Sequence, residues 1–490
     1  EPVSSIDLME RAANEILLKT IEIVPDYTQK EFIVFCGQGN NGGDGLALTR
    51  LLIEKKDFYN VKAVLCRFSD YLSTDCEINL TRLKEKYSDN IVEIQEPINF
   101  DFSPNTVIID ALFGTGLNRE LSGKYEDLVK IINNTNLPVI SVDIPSGFFS
   151  EMLSTENTVA IRADHTICID SPVLSALIPE NYDYFGTIHI VDIGLSAQAK
   201  YDTPSKYQII TENFVLQNLK KRKRFDHKGS FGHTLIVAGS YGKAGAAVLS
   251  AKAAIKSGAG LVSLHIPQKI LEIIQISVPE AMCSTDNYEN VISHVKFSNA
   301  YSSIGIGPGV STKDITVSAI KNLFKGINVP AVIDADGLNC LAKIENFQNL
   351  LPEGTILTPH PKEFERLFGK FNNTLEILDF MSEFSRKNKI IIVYKTGHTF
   401  ISDFDGNIYI NIKGNPGMAT GGSGDVLTGI IASLLAQKYN PVVAAIVSVF
   451  VHACSGDLCK NKFSMISTTA SDIVNTLPDV FLSLEKKLYK

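Results

Sequence analysis

The sequence predicts an α/β protein of two tandem doubly wound domains, the first over residues 1–205 and Rossmann-like, the second over residues 206–490. Three observations lead there. The chain has 490 residues, more than one hydrophobic core ordinarily serves. Short apolar runs alternate with helical patterns in two successive series, the signature of mostly parallel sheets covered by helices. Each series carries a glycine-rich stretch that runs into a helix, "CGQGNNGGDG" at 36–45 and "TGGSGDV" at 420–426.

In the first series the predicted strands are 31–36, 61–66, 106–110, 138–143, 165–170 and 187–192. Helical periodicity covers 7–24, 44–55, 75–87 and 122–134. The second series begins with a strand at 233–238, a small-residue helix over 244–257 and a strand at 261–266. It continues with strands at 302–306, 329–334, 354–358 and 389–394, and with a hairpin over 398–412 that turns at Asp405-Gly406-Asn407. A long apolar helix is expected over about 425–437. The boundary falls between Leu195 and Lys228, where Ser196–Ser205 is polar and Lys220–Arg224 is a basic cluster. That cluster is read as a solvated linker or a loop facing a phosphorylated ligand, with a nuclear signal or nucleic-acid patch as the alternative.

Apolar residues make up 44% and charged residues 20%, ordinary values for a globular chain. The net charge of −8 gives no field that would gather nucleic acid or an acidic membrane surface. No apolar run reaches the roughly 18 residues needed to cross a membrane. The eight cysteines form no CxxC pair, and Cys36, Cys66 and Cys168 lie in or beside apolar runs, so free, buried thiols in a reducing, cytoplasmic setting are expected. Cys454 and Cys459 lack partners at zinc-ligand spacing. No signal peptide is visible. Because the chain starts at Glu1 without Met, further natural N-terminal residues are expected.

Gly37-x-Gly39-x-x-Gly42 sits where a dinucleotide fingerprint belongs. Two features speak against simple NAD binding. Asp44, placed in the first helical turn, would repel a pyrophosphate there, and the second strand ends at Cys66-Arg67 without a carboxylate for a ribose hydroxyl. Asn40 and Asn41 instead place two carboxamides beside an acid, which suits polar ligand contacts and an oxygen-coordinated cation. Two further strand ends, "VIIDALFGTGLNR" at 107–119 and "VISVDIPSG" at 139–147, have the same character. Carboxyl ends of parallel strands are where open α/β sheets bind ligands, so Asn41, Asp110, Asp143 and Ser146 are expected in one crevice; helix and turn capping is the alternative.

"LMERAA" (8–13), "GQGNNGGDG", "IDALFGTGL" (109–117) and "VDIPSG" (142–147) resemble the NAD(P)H-hydrate epimerase family over nearly all of residues 7–195. The resemblance implies a crevice for hydrated NAD(P)H and K+. By position it assigns K+ to Asn41, Asp110 and Ser146, and the catalytic acid/base to Asp143. It assigns substrate contacts to Asn40, Asn41, Gly42, Gly43 and Asp44, and to Gly114, Thr115, Gly116, Leu117, Asn118, Arg119 and Glu120. Phe148-Phe149 stands where the family usually carries Leu-Asp, and Ser171-Pro172-Val173-Leu174 where Pro-Lys is common.

In the second half, Gly421, Gly422, Ser423 and Gly424 precede a helix whose first turn holds Asp425. Such a backbone offers N–H donors to phosphate, and the acid is placed as base or orienting group beside a transferred phosphoryl. This arrangement resembles the ribokinase-like fold. With "HKGSFGHTLIVAGSYGKAGA" (227–246), "GIGPGV" (305–310), "DADGLN" (334–339) and "LTPHPKEFERL" (357–367), it is similar to ADP/ATP-dependent NAD(P)H-hydrate dehydratase over about 215–490. The resemblance implies that Ala246, Gly309, His360 and Asp425 contact hydrated NAD(P)H, with Asp425 as the catalytic base. It implies that Lys395, Thr396, Gly397, His398, Thr399 and Gly424 hold ADP or ATP, with Mg2+ at this site. His360 also reads as a helix cap, and Asp334 and Asp336 stay unassigned between magnesium and turn capping. The expected activity is interconversion of R and S hydrated NAD(P)H and nucleotide-dependent dehydration of the S form, in a homo-oligomer. A ribokinase-like small-molecule kinase, a non-catalytic nucleotide sensor and a plain dehydrogenase are the alternatives.

Overall fold

The computed structural model describes every residue except 1, 2, 56, 59, 197, 199–201 and 490. The chain divides into two compact units, Glu1–Pro204 and Ser205–Lys490. Part of the polar linker expected at 196–205 lies outside the described residues.

The first unit is a seven-stranded sheet built from β1 (Glu31–Cys36), β2 (Asn60–Cys66), β3 (Ile91–Ile94), β4 (Thr106–Ala111), β5 (Val139–Val142), β6 (His165–Ile169) and β7 (Thr187–Val191). The order is β3-β2-β1-β4-β5-β6-β7 and every pairing is parallel. Chain order reverses between β1 and β4, which opens a crevice at their carboxyl ends. Alternation along β1 feeds two cores: Phe32, Val34 and Cys36 pack on one face, Ile33 and Phe35 on the other. The edge strand β3 carried no sequence signal, because two of its four residues are exposed.

The helix after β1 spans Asn40–Glu54 and starts four residues before the expected 44. Asn40, Asn41, Gly42 and Gly43 are its first turn, and Asp44 sits in the second turn, not the first. Asp44 therefore lies beyond the first turn, where the helix dipole acts most strongly, contrary to the expectation from sequence. Glycine disfavours helix intrinsically, but here packing decides. A Cβ on Gly42 would lie 1.8 Å from the Gly37 carbonyl oxygen, and one on Gly45 would lie 2.6 Å from Ala111 Cβ. Only glycines let this helix lie flat on the strand ends.

The second unit is a ten-stranded sheet made of β8 (Tyr207–Ile209), β9 (His233–Val237), β10 (Leu261–Ile266), β11 (Met282–Thr285), β12 (Ser303–Ile306), β13 (Ala331–Ile333), β14 (Ile356–Leu357), β15 (Ile391–Lys395), β16 (Thr399–Ser402) and β17 (Ile408–Asn411). Strands β11-β10-β9-β12-β13-β14-β15 run parallel, and β15, β16 and β17 form the antiparallel extension that the hairpin signal predicted. Asp403 shapes its turn by accepting from the amides of Asp405 (2.9 Å) and Asn407 (2.8 Å). The helix Ser423–Ala436 is buried along nearly its whole length, with Asp425 in its first turn.

Two expectations change. The helix Pro441–Phe463 is long and apolar enough to cross a membrane by length and composition; uninterrupted apolar runs had missed it. Its most apolar window is 67% buried inside the fold, so that surface is core. The basic cluster 220–224 is not simply a solvated linker. Lys220 Nζ donates to the Gln437 and Lys438 carbonyls (3.0 and 2.7 Å), and Arg222 donates to Gly258 O (2.9 Å) while lying over the Phe231 ring. These cations cap helix C-termini, where carbonyls are left without partners. The eight cysteines are free thiols, six of them buried.

His165 Nδ1 and His189 Nε2 meet at 3.0 Å across β6 and β7. One ring must donate and the other accept, so the contact needs at least one neutral imidazole. Burial lowers both rings, and neighbouring His165 and Lys19 help push His189 down to about 4. Histidines with folded values below the unfolded one stabilise fully above about pH 6.5, and lose that contribution as pH falls toward the folded values. Between about pH 7 and pH 5, His189→Gln should therefore lose less of the first unit's thermal midpoint than wild type does. Parallel losses in calorimetric scans would remove the pair from the acid response.

Candidate active sites

In the first unit Asp110, the penultimate residue of β4, is fully buried at the carboxyl end of the strand. One carboxylate oxygen accepts from Ser141 Oγ (2.8 Å) and the Ser146 amide (2.9 Å). The other accepts from Ser146 Oγ (2.6 Å) and the Leu112 amide (3.2 Å). Burial still raises its proton affinity, with the Ser146 and Ser141 donors opposing. Ser146 Oγ in turn accepts from the Phe113 amide (2.9 Å), which ties the 112–117 loop to the 143–148 turn.

Asp143 follows β5 with φ +68, a left-handed conformation that Asp tolerates better than most residues. Its Oδ2 accepts from the Thr115 amide at 2.8 Å. A Cβ on Gly114 would lie 2.6 Å from that Oδ2 and 3.3 Å from Asn41 Cβ, so only glycine allows the three segments to converge. Burial raises Asp143, and it raises the buried Asp44 well above the usual carboxylate range, with the Asp143 and Asp75 charges adding to the effect on Asp44. Asn41 donates to Val142 O at 3.3 Å, while its Oδ1 is buried without a hydrogen-bond partner.

Asn41, Asp110, Gly114, Asp143 and Ser146 thus come together. Gly43 does not join them: a Cβ there would meet Met9 Sδ and Cys76, and its amide bonds to Gly39 O within the helix. Asn40, Thr115, Gly116, Asn118, Arg119 and Glu120 are exposed around the crevice, with Leu117 half-buried. Phe148, one of the departures, is a core residue packed on Tyr184 and Phe185. Gln38 escaped the sequence reading although it sits inside the glycine-rich stretch. Its amide donates to Ser69 O (2.7 Å) and to Tyr71 O, and its oxygen accepts from the Ser69 amide (2.9 Å), holding the 69–71 loop against the site.

In the second unit a cavity of about 600 Å3 is lined by Ala246, Gly309, Gly421, Gly422 and Asp425, all singled out from sequence, and by Gly242, Lys243, Gly245, Leu249, Ala335 and Asp336. Gly422 has φ +92. Behind Asp425, the buried Asp334 pairs with Lys395 Nζ at 2.8 Å and accepts from Thr428 Oγ1 at 3.0 Å. In front, Lys243 Nζ lies 2.8 Å from Asp336 Oδ2. Burial and the Asp334 charge push Asp425 up to about 7, with Lys395 opposing. Burial would raise Asp334 too, but Lys395 holds it below the ordinary value.

Lys395 ends β15, and Thr396–His398 turn the chain into β16, with the Thr396 amide on His398 O at 3.0 Å. These residues, Ser423 and Gly424 do not line the cavity; Ser423 Oγ meets His452 Nε2 at 3.3 Å. His360 is the N-cap of helix Pro361–Phe368. Its Nδ1 accepts from the Lys362 and Glu363 amides, and Glu363 returns a bond to the His360 amide at 3.0 Å. It also stays outside the cavity lining. Lys243 and His452 were missed because isolated basic residues carry no spacing signal.

The family profile described as NAD(P)H-hydrate dehydratase matches residues 234–479, and the one described as YjeF-related protein N-terminus matches residues 5–174. The bifunctional NAD(P)H-hydrate repair enzyme Nnr of Thermofilum pendens is 32% identical over 98% of this chain and 92% of its own length. That of Moorella thermoacetica is 31% identical, covering 99% and 94%, and that of Escherichia coli 29%, covering 96% and 88%. Among solved structures, ADP/ATP-dependent NAD(P)H-hydrate dehydratase from Bacillus subtilis, co-crystallized with ATP/Mg2+, aligns with TM-score 0.51 and 28% identity. It covers 56% of this chain and 98% of that protein. A ribokinase-like superfamily protein from Enterococcus faecalis aligns with TM-score 0.51 and 26% identity, covering 58% and 98%. With profiles matched in both halves and relatives matched from end to end, this chain belongs to the bifunctional NAD(P)H-hydrate repair enzymes.

Proposed function

We propose that the first unit epimerises hydrated NAD(P)H at Asp143 and that the second dehydrates the S epimer at Asp425, using ADP or ATP. The observation that carries the second half is a carboxyl group raised to about 7 at the start of a glycine-rich helix, facing the cavity. A base of that strength is half-deprotonated near neutral pH and still accepts a proton well.

The hydrate carries a hydroxyl on the ring carbon next to nitrogen, and hydroxide leaves poorly. Asp425 takes the hydroxyl proton as that oxygen attacks the terminal phosphorus of the nucleotide, and the bond to the nucleotide's bridging oxygen breaks. The ring nitrogen's lone pair then expels orthophosphate, and loss of a proton from the adjacent carbon restores the reduced ring. Backbone amides of Gly421 and Gly422, which line the cavity, would receive the transferring group, with Gly424 just inside the helix start behind them. Lys395–Thr399 serve the nucleotide, and Ala246, Gly309 and His360 the hydrated ring. Mg2+ would be held chiefly by the nucleotide's phosphates and would offset their negative charge.

In the first unit Asp143 assists reversible opening at the carbon bearing nitrogen and hydroxyl; burial raises its proton affinity toward that exchange. Asn40–Asp44 and Gly114–Glu120 surround the substrate. The residues present fit K+: Asn41 Oδ1 is a buried oxygen without a partner, and Asp110 and Ser146 lie in the same cluster. Asp110 already accepts four hydrogen bonds, so its part is chiefly negative charge. Bound there, K+ would supply positive charge to the site. A cytoplasmic homo-oligomer accompanies this reading.

Asn41→Leu keeps the shape and removes the open oxygen. K+ should raise the first unit's thermal midpoint in wild type relative to Na+, and the variant should lose that increment while dehydration continues. An equal increment in the variant would rule out Asn41 as a ligand.

The two activities should separate. Asp425→Asn should cut dehydration by about a hundredfold or more while the epimers still equilibrate. Asp143→Asn should leave use of the S epimer at the normal rate, with R consumed only as fast as it epimerises spontaneously. Chromatography of both epimers over time reads this out, and cross-effects would refute two independent sites.

A further inference from the structure

We infer that Asp334 is a positioning residue for dehydration: its buried ion pair with Lys395, seated beneath Gly424, fixes the glycine-rich helix start and sets the electric field in which Asp425 works. The inference rests on the reading of Asp425 as the base.

The placement is tightly determined. Asp334 follows β13 and its side chain is 2% exposed. Its amide donates to Ile306 O at 3.0 Å, and its carbonyl accepts from the Gly337 amide at 2.9 Å. Ala335 turns with φ +49, so consecutive acids part: Asp334 goes behind the helix start, and Asp336 lines the cavity. A Cβ on Gly424 would lie 3.0 Å from Asp334 Oδ2 and 3.4 Å from Lys395 Nζ. The pair therefore touches the turn that carries Asp425, one residue on. Thr428, one turn further along that helix, donates to the same Oδ2.

Asp425 stands between two compensated ion pairs, Asp334–Lys395 behind it and Asp336–Lys243 in front. All four charges act on it, the acids raising and the lysines lowering its proton affinity. Outside these pairs, Glu363 on the helix Pro361–Phe368 faces Asp334 and Lys395, with the N-cap His360 beside Glu363 at 3.4 Å. His452 on the helix Pro441–Phe463 is held neutral, down to about 4, by burial and then Lys395. Removing one member of the rear pair leaves the other uncompensated beside Asp425. The two deletions must then act in opposite directions, which a merely structural role would not produce.

The test is the acid limb of the pH dependence of kcat for dehydration of the S epimer at saturating nucleotide, in the full chain. Asp334→Asn, which leaves Lys395 alone, should move that limb down by about one pH unit or more. Lys395→Met, which leaves Asp334 alone, should move it up, and Lys395→Arg should restore it. If Asp334→Asn proves unfolded by circular dichroism, the Lys395→Met and Lys395→Arg comparison decides. Asp425→Asn is run alongside. If it abolishes turnover while both other variants leave the limb unmoved or shift it the same way, this inference alone falls. If Asp425→Asn keeps the wild-type rate and limb, the base assignment falls and the inference with it.

Discussion

A backbone atom occupies the place where a side chain would begin at the mouth of the first site: a Cβ on Gly42 would lie 1.8 Å from the Gly37 oxygen. Absence of that one carbon lets the helix Asn40–Glu54 press onto the ends of β1 and β4. It thereby carries the Asn41 carboxamide within reach of Val142 O, and close to the segments bearing Asp110, Asp143 and Ser146. The second unit repeats the device. A Cβ on Gly429 would lie 2.1 Å from Ser250 O, so the helix Ser423–Ala436 packs backbone-close on the helix Ala244–Lys256, bringing Asp425 to the same cavity as Ala246 and Gly309. In both units glycine is a packing requirement first, and the ligand surface follows from it.

Burial then does the chemical tuning. Asp143 and Asp425 both have proton affinities raised by loss of solvent, yet their surroundings differ. Asp143 is steadied by one amide and faces the buried acid Asp44. Asp425 stands between two lysine-paired acids. In the proposed roles, a carboxylate assisting reversible exchange at a carbon and one deprotonating a hydroxyl for phosphoryl transfer would have different needs. Two sheets allow the two environments to be set separately.

Much of this was legible. The strand ends at Asp110 and Asp143 and the helix start at Asp425 follow from apolar runs broken by glycine and acid. What was misread has physical causes. The start of the helix at Asn40 was missed because glycine's poor intrinsic propensity was outweighed by packing that no local window contains. His360 reads from sequence as a ligand with a helix cap as the alternative; in the structure it does cap, with a full capping box, and it lies outside the lining of this cavity. The basic cluster 220–224 looked solvated because its acceptors, the carbonyls at 258, 437 and 438, are distant in sequence.

By itself the sequence determined the class of fold, the two-part organisation and the chemical types gathered at each strand end, because these depend on periodicity and on motifs within some ten residues. Only the tertiary structure decided which acids are paired and which are left to act. Asp334, Asp336 and Asp425 are indistinguishable as letters. Lys395 neutralises the first across 61 positions and Lys243 the second across 93. Among the described residues Asp425 makes no such pair, and its proton affinity is set by the burial and long-range charge that folding brings together.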